Sequence, residues 1–132
     1  METVDVRTNS RVEALDITAR VQEIVAGSGV RSGAALVCVA HTTAGLTINE
    51  NADPDVMSDL MGMLSQLVPR AGSYAHVEGN SDAHVKSSLV GHSVTVPVED
   101  GRLQLGTWQG IYFCEFDGPR SRRVWMQVLA SR

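Results

Sequence analysis

The order of apolar and polar positions divides the chain into short strands and three helical stretches. Val4 and Val6 alternate with polar neighbours across residues 2–8, the period-two signature of a strand with one face buried. A helix is expected next, with Asp16 as its N-cap. Ile17, Val21, Ile24 and Val25 fall on one of its faces, and the glycines at 27 and 29 end it. Residues 33–40 form an almost unbroken apolar run of small and β-branched residues, which reads as a strand buried on both faces. His41-Thr42-Thr43 stands at its end, and residues 46–49 suggest another short strand.

Asp53-Pro54 marks a second helix, because Asp accepts amide bonds left over at a helix start and Pro tolerates the first helical position. Val56, Leu60, Met63, Leu64 and Leu67 recur along it at three- and four-residue spacing, and Pro69 stops it near Val68. Residues 70–80 are polar and glycine-containing, hence a loop. A short third helix is expected over 82–90, with Ser81 as N-cap and Gly91 as its stop. From His92 onward the pattern is that of a β-meander. Val94, Val96 and Val98 alternate, Asp100-Gly101 supplies a hairpin turn, and residues 111–116 and 124–129 suggest a strand pair joined across Asp117-Gly118-Pro119. Together these elements predict one α+β domain: an antiparallel or mixed β-sandwich with a C-terminal meander and two or three helices.

Length and composition change little in that picture. At 132 residues and 43% hydrophobic content the chain suits one folded domain. No apolar run approaches the ~18 residues a membrane helix needs, and the first residues lack the pattern of a signal peptide, so a cytoplasmic protein without membrane contact is expected. Cys38 and Cys114 are expected as buried, unpaired thiols. A net charge of −4 argues against a nucleic-acid partner, and the only basic cluster, Arg120, Arg122 and Arg123, is of a size to hold a phosphate.

The chemistry concentrates between residues 41 and 92, where all four histidines lie, with Glu50 and Asp53 after His41 and with Glu78 and Asp82 around His76 and His84. Neutral imidazoles are ligands for zinc and other transition metals, and neighbouring carboxylates can orient them or act as general acid and base. The spacing of these histidines matches no standard metal motif. Asp53 is explained by its helix cap, whereas Glu78, standing before Gly79-Asn80, has no such structural role. A third group comprises Lys86, Ser87 and Ser88 with residues 106–110, Gly-Thr-Trp-Gln-Gly. There Trp108 and Gln109 suit a flat heteroaromatic group, or else mark a strand kink around a packed Trp.

Residues 41–54 (HTTAGLTINENADP), 74–93 and 101–123, the last with its Leu-Gly-Thr-Trp-Gln-Gly-Ile core, resemble the YjbQ-like family of small bacterial and archaeal proteins. That resemblance implies an α+β sandwich assembled as a homotrimer, and a label of secondary thiamine-phosphate synthase. The family's histidine positions correspond here to His41, His76 and His84, which makes these the expected ligands of a divalent metal, zinc by donor type, and leaves His92 outside the site. Glu50, Glu78 and Lys86 become catalytic candidates, and Trp108, Gln109, Ser88 and Arg122 substrate-binding ones. Thiamine-phosphate synthesis joins a thiazole phosphate to a pyrimidine diphosphate with loss of pyrophosphate, a reaction for which magnesium is the customary companion of the diphosphate. Magnesium prefers oxygen ligands, so a histidine triad suits it poorly. The expected function is therefore a metal-dependent enzyme of small phosphorylated or heteroaromatic metabolites, with weak thiamine-phosphate synthase activity. The alternatives are a hydrolase using metal-bound water and a non-enzymatic metabolite- or metal-binding module.

Overall fold

The computed structural model describes residues 1–132. Strands β1 (Glu2–Arg7) and β2 (Glu13–Asp16) precede helix α1 (Thr18–Gly27). Strands β3 (Ser32–Val39) and β4 (Ala44–Glu50) are followed by helices α2 (Pro54–Leu67) and α3 (Ser81–Val90). Strands β5 (Ser93–Glu99), β6 (Arg102–Leu103), β7 (Gln109–Glu115) and β8 (Ser121–Ala130) complete the chain. They form two antiparallel sheets, a five-stranded one ordered β1-β8-β3-β5-β6 and a three-stranded one ordered β2-β7-β4. The inner faces share a 16-residue core that includes Val6, Val37, Leu46, Phe113 and Met126, with Val21 and Val25 of α1 packed into it. Against the other face of the small sheet, Met57 and Met61 of α2 and Ala83 of α3 bury Tyr112, Cys114 and Phe116. The fold is thus the expected α+β sandwich with three helices.

Several local expectations hold for the expected reasons. The Asp53 side chain accepts the Asp55 amide at 2.9 Å and Pro54 opens α2. Asp100 and Gly101 both take positive φ, 53° and 71°, closing the β5–β6 hairpin in the conformation that Asp-Gly favours. Others shift. Helix α1 begins at Thr18 rather than after Asp16, because the Asp16 carboxylate accepts the Thr18 amide and hydroxyl while its backbone is still paired in β2, a four-residue strand the pattern did not suggest. Helix α3 takes Asn80, not Ser81, as its N-cap residue.

Two differences matter for function. Residues 111–115 and 124–129 lie in strands, but these do not pair with each other. Strand β7 is the centre of the small sheet, and β8 crosses to the large one between β1 and β3. The corner between them, Asp117–Arg120, therefore sits at one end of the sandwich. Strand β3 is buried on one face only: Ala35 and Val37 are sealed, while Leu36 is 37% exposed. The outer face of the large sheet carries no helix, and Leu36, Trp125 and Leu129 stand on it uncovered.

Candidate functional site

The end of the sandwich where β3 leaves and β4 begins holds a polar cleft. Helix α3 is pressed onto β4 there. The Ser87 hydroxyl donates to the Ala44 carbonyl at 2.8 Å, and the Leu46 amide donates to the Gly91 carbonyl at 3.0 Å. Gly45 makes this approach possible, since a Cβ at that position would lie 2.7 Å from the Gly91 oxygen. The contact places His84, on α3, opposite His41, in the β3–β4 connection. His41 and His84 border two adjoining cavities of about 580 and 390 Å³. The larger is walled by Val39, Ser87, Ser88, His92 and Trp125. The smaller is walled by Thr42, Glu78, Asn80, Asp117, Arg120 and Arg122.

Behind the smaller cavity lies a buried network. Glu115 is fully buried and accepts from the Thr8 hydroxyl at 2.7 Å, the Asp117 amide at 3.0 Å and the Arg122 Nε at 2.8 Å, and it pairs closely with Arg122 Nη2. The same Nη2 donates to the Thr43 hydroxyl at 2.9 Å. Burial raises the Glu115 carboxyl pKa, but the hydrogen bonds from Arg122 and Thr8 outweigh it and hold the group below its ordinary value. Arg122 is thus fixed as a guanidinium in the cavity wall. Arg120 pairs with Asp117 at 3.0 Å, and Asn80 Nδ2 donates to the same carboxylate at 2.8 Å, leaving Asn80 Oδ1 buried with no partner.

His41 is tied to the backbone: its Nε2 accepts the Arg123 amide at 2.8 Å. Its pKa is lowered, chiefly by burial and next by the Arg122 charge, so the ring is neutral at pH 7. His76 borders neither cavity. Its Nδ1 lies 3.0 Å from the Ser81 hydroxyl, its Nε2 lies 3.8 Å from Glu78, and its ring packs edge-on against His84 with centroids 5.4 Å apart. His76 thus packs on His84 at the outer side of the cleft.

The expected metal triad fits this arrangement poorly. No three side chains of His, Cys, Asp or Glu type lie close enough within the chain to share a metal ion. The Nε2 lone pair of His41 is already committed to an amide. Of the carboxylates near the cleft, Asp117 and Asp82 are committed to Arg120 and to Lys86 with Arg11. Glu78 remains, 3.8 Å from His76 Nε2.

The other expected residues divide sharply. Ser88 and Arg122 wall the cleft, as does Glu78. Lys86 does not: it is buried, 2.9 Å from the fully buried Asp82, and anchors α3. Glu50 is at the far end of β4, six residues and roughly 20 Å of strand from Ala44. Gln109 is beside it in register, and its Oε1 closes a turn by accepting the Gly106 amide at 2.7 Å. Trp108, 62% exposed, borders neither cavity. The aromatic residue at the cleft is Trp125, which alternation along β8 identifies as outward-facing but which nothing local connects to His41. His92, set aside on family grounds, is in the cleft wall because Gly91, at φ 101°, turns the chain there. Cys114 is a sealed thiol pushed up to about 12 by burial, and Cys38 is unpaired and half-buried. No helix is long and apolar enough to cross a membrane.

Comparison with known proteins gives this geometry a lineage. The model of the UPF0047 protein YjbQ-like family matches residues 2–131. The chain is 51% identical over 130 residues to the UPF0047 protein YugU of Bacillus subtilis, covering 98% of each, and 50% identical over 127 residues to a UPF0047 protein of Methanocaldococcus jannaschii, covering 96% of this chain and 92% of that one. A crystal structure of an uncharacterised YjbQ/UPF0047 protein from Clostridium acetobutylicum superposes with a TM-score of 0.96 at 50% identity, over 98% of this chain and 100% of that one. One of a hypothetical protein from Aeropyrum pernix superposes with a TM-score of 0.93 at 40% identity, over 99% and 100%. With its whole length matched in sequence and in fold, the chain belongs to the YjbQ-like UPF0047 family.

Proposed function

We propose that the cleft between α3 and the β3–β4 connection binds a small phosphorylated metabolite with a flat ring and acts on it by acid–base chemistry. The observation that carries this reading is the sharing of His41 and His84 between two cavities of opposite character. Arg120 and Arg122 give one end guanidinium N–H donors for phosphate oxygens, oriented by their carboxylate partners Asp117 and Glu115. Trp125 gives the other end a face on which a ring can stack. The reacting atoms would lie between them, beside His84 and within reach of Glu78.

A thiamine-phosphate synthase reaction is one chemistry this layout suits. The pyrimidine ring would rest toward Trp125, its diphosphate would leave toward Arg120 and Arg122, and the thiazole nitrogen would take the vacated carbon. Charge stabilisation on a departing pyrophosphate is where fixed guanidinium groups act most. The reading needs no resident metal; magnesium would enter with the diphosphate and meet Glu78. Incubating the protein with hydroxymethylpyrimidine diphosphate and thiazole phosphate, with magnesium, should yield thiamine phosphate and pyrophosphate in equal amounts. Release of orthophosphate instead would favour a hydrolase, and tight binding without turnover a binding module.

The uncovered outer face of the large sheet supports assembly into a homotrimer. Leu36 and Leu129 are exposed there, beside half-buried Ala34 and Cys38. Exposed apolar side chains on one sheet face, here set among Thr3, Thr95 and Gln127, suit contact with another surface, and Trp125 on the same face would set the cleft at a subunit boundary. Light scattering should give three times the 14.2 kDa chain mass, and Leu36→Arg should shift it toward the monomer.

A further inference from the structure

We infer that His41 is locked as the neutral Nδ1–H tautomer and serves as a hydrogen-bond donor to an anionic oxygen of the ligand, neither as a base nor as a metal ligand. The inference deepens the reading of the cleft as an anion site and rests on it. Its starting point is the Arg123 amide, which donates to His41 Nε2 at 2.8 Å. A backbone amide can only donate, so Nε2 must present its lone pair, and a neutral ring then carries its proton on Nδ1.

Neither partner is free to move away. Arg123 lies between Arg122, clamped by Glu115 and Thr43, and Val124, paired in register with Val39. The Arg123 carbonyl also accepts the Ala40 amide at 3.2 Å, so the residue is bonded on both sides to the segment that carries His41. A cationic ring would turn an Nε2 proton against that amide. The charges of Arg122, Arg123 and Arg120 oppose the cation further, with Glu115 opposing them in turn, and the net direction is toward the neutral ring.

The other nitrogen has no partner in the chain, nor is it among the polar atoms sealed from solvent without one. It is therefore open, and the open space around His41 is the two cavities it borders. An Nδ1–H aimed there beside Arg122 suits a phosphoryl or carboxylate oxygen. It does not suit a metal ion, which would need the lone pair that this tautomer lacks. A neutral imidazole donor stabilises charge that develops on the ligand without adding a titrating proton at neutral pH. Proton transfer then falls to His84.

Long-range proton–nitrogen NMR of the full chain tests this. The His41 signals would be assigned by their loss in His41→Gln, or in His41→Asn should the first variant fail to fold. In the free protein His41 should show the Nδ1–H pattern at pH 7 and still show it predominantly at pH 6.5, the ordinary imidazole midpoint, and inorganic pyrophosphate should shift its Nδ1 proton downfield. An Nε2–H pattern, or an imidazolium at pH 7, overturns the inference even if calorimetry shows pyrophosphate bound. The correct tautomer with pyrophosphate bound but no shift overturns the donor role. Absence of pyrophosphate binding overturns the anion-site reading itself, and the donor role with it.

Discussion

Two ends of the same sandwich carry residues of similar type and a cavity each, but only at one of them do the candidate side chains line it: the far cavity, of about 640 Å³, is walled by Asp16, Thr18, Asn51 and Leu105, not by Glu50, Trp108 or Gln109. At the far end Glu50, Trp108 and Gln109 gather around glycines 106 and 110, a set as suggestive in sequence as the histidines. Yet Gln109 spends its carbonyl on the Gly106 amide, and the Tyr112 hydroxyl spends its proton on the Glu50 carbonyl at 3.2 Å. Those contacts shape a turn. At the near end the polar groups are oriented by partners and still leave atoms over: His41 Nδ1 is open, and Asn80 Oδ1 is unmatched. Buried polar atoms are nearly always paired, so an unmatched one at a cavity wall is the better sign of a missing partner. Residue type marked both ends; a sealed polar atom without a partner at a cavity wall, Asn80 Oδ1, marks the near one.

The largest expected effect lies behind the near end. Glu115→Ala strands the buried Arg122 guanidinium and should cost about 3–5 kcal/mol in urea unfolding, with pyrophosphate binding lost. The double replacement Glu115→Leu with Arg122→Met should recover much of that stability but none of the binding. Recovery of binding in the double variant would show that Arg122 does not touch the anion.

Acid should act on the same end. Asp82, Glu115 and Asp117 have pKa values held below their ordinary 3.8 and 4.5, so each adds stability that is full above about pH 4.5 and lost as pH falls through the folded values. The depressed His41 works in the same direction at higher pH. The unfolded chain takes up its proton near the ordinary 6.5 and the folded chain only below that, so stability begins to decline as pH drops under about 6.5. Thermal unfolding from pH 8 to pH 3 should show the two declines, and His41→Gln should remove the upper one. A flat profile through pH 6 would contradict the His41 assignment.

The two tryptophans give a smaller and sharper contrast. Trp125→Ala should weaken a heteroaromatic phosphate by roughly 3- to 10-fold, the range of an aromatic stacking contribution, while Trp108→Ala should leave its affinity unchanged. The opposite ranking would move the ring-binding end to the far side. Smallest of all, Gln109→Ala should cost about 1 kcal/mol of stability, the ordinary net worth of one hydrogen bond, with ligand affinity unaffected.

The sequence made the elements legible where local chemistry decides them. Asp53-Pro54 and Asp100-Gly101 behave as their side chains dictate. It misled where tertiary pairing decides. The apolar run of β3 reads as doubly buried, but alternation leaves Leu36 outside because nothing in the chain covers that face. Strands β7 and β8 read as a hairpin, yet the cores on the two faces of the small sheet draw them apart. For the site, His41, His84, Glu78, Ser88 and Arg122 were identifiable by type and family position. Lys86 was not separable from them, because its burial beside Asp82 depends on how α3 packs. Trp125 and His92 could not be joined to the cleft, since the first comes from a distant strand and the second from a turn at Gly91.

The most direct test of the near end as the functional site is calorimetric titration of pyrophosphate, with magnesium, into four forms of the protein. These are the unaltered chain, His84→Ala, Arg120→Ala, and a double variant carrying Glu50→Gln with Trp108→Ala. Saturable binding of equal affinity is expected for the first and the last, with at least tenfold weaker binding to His84→Ala and Arg120→Ala. Binding that survives in those two and disappears in the Glu50–Trp108 variant would contradict it and transfer the site to the other end of the sandwich.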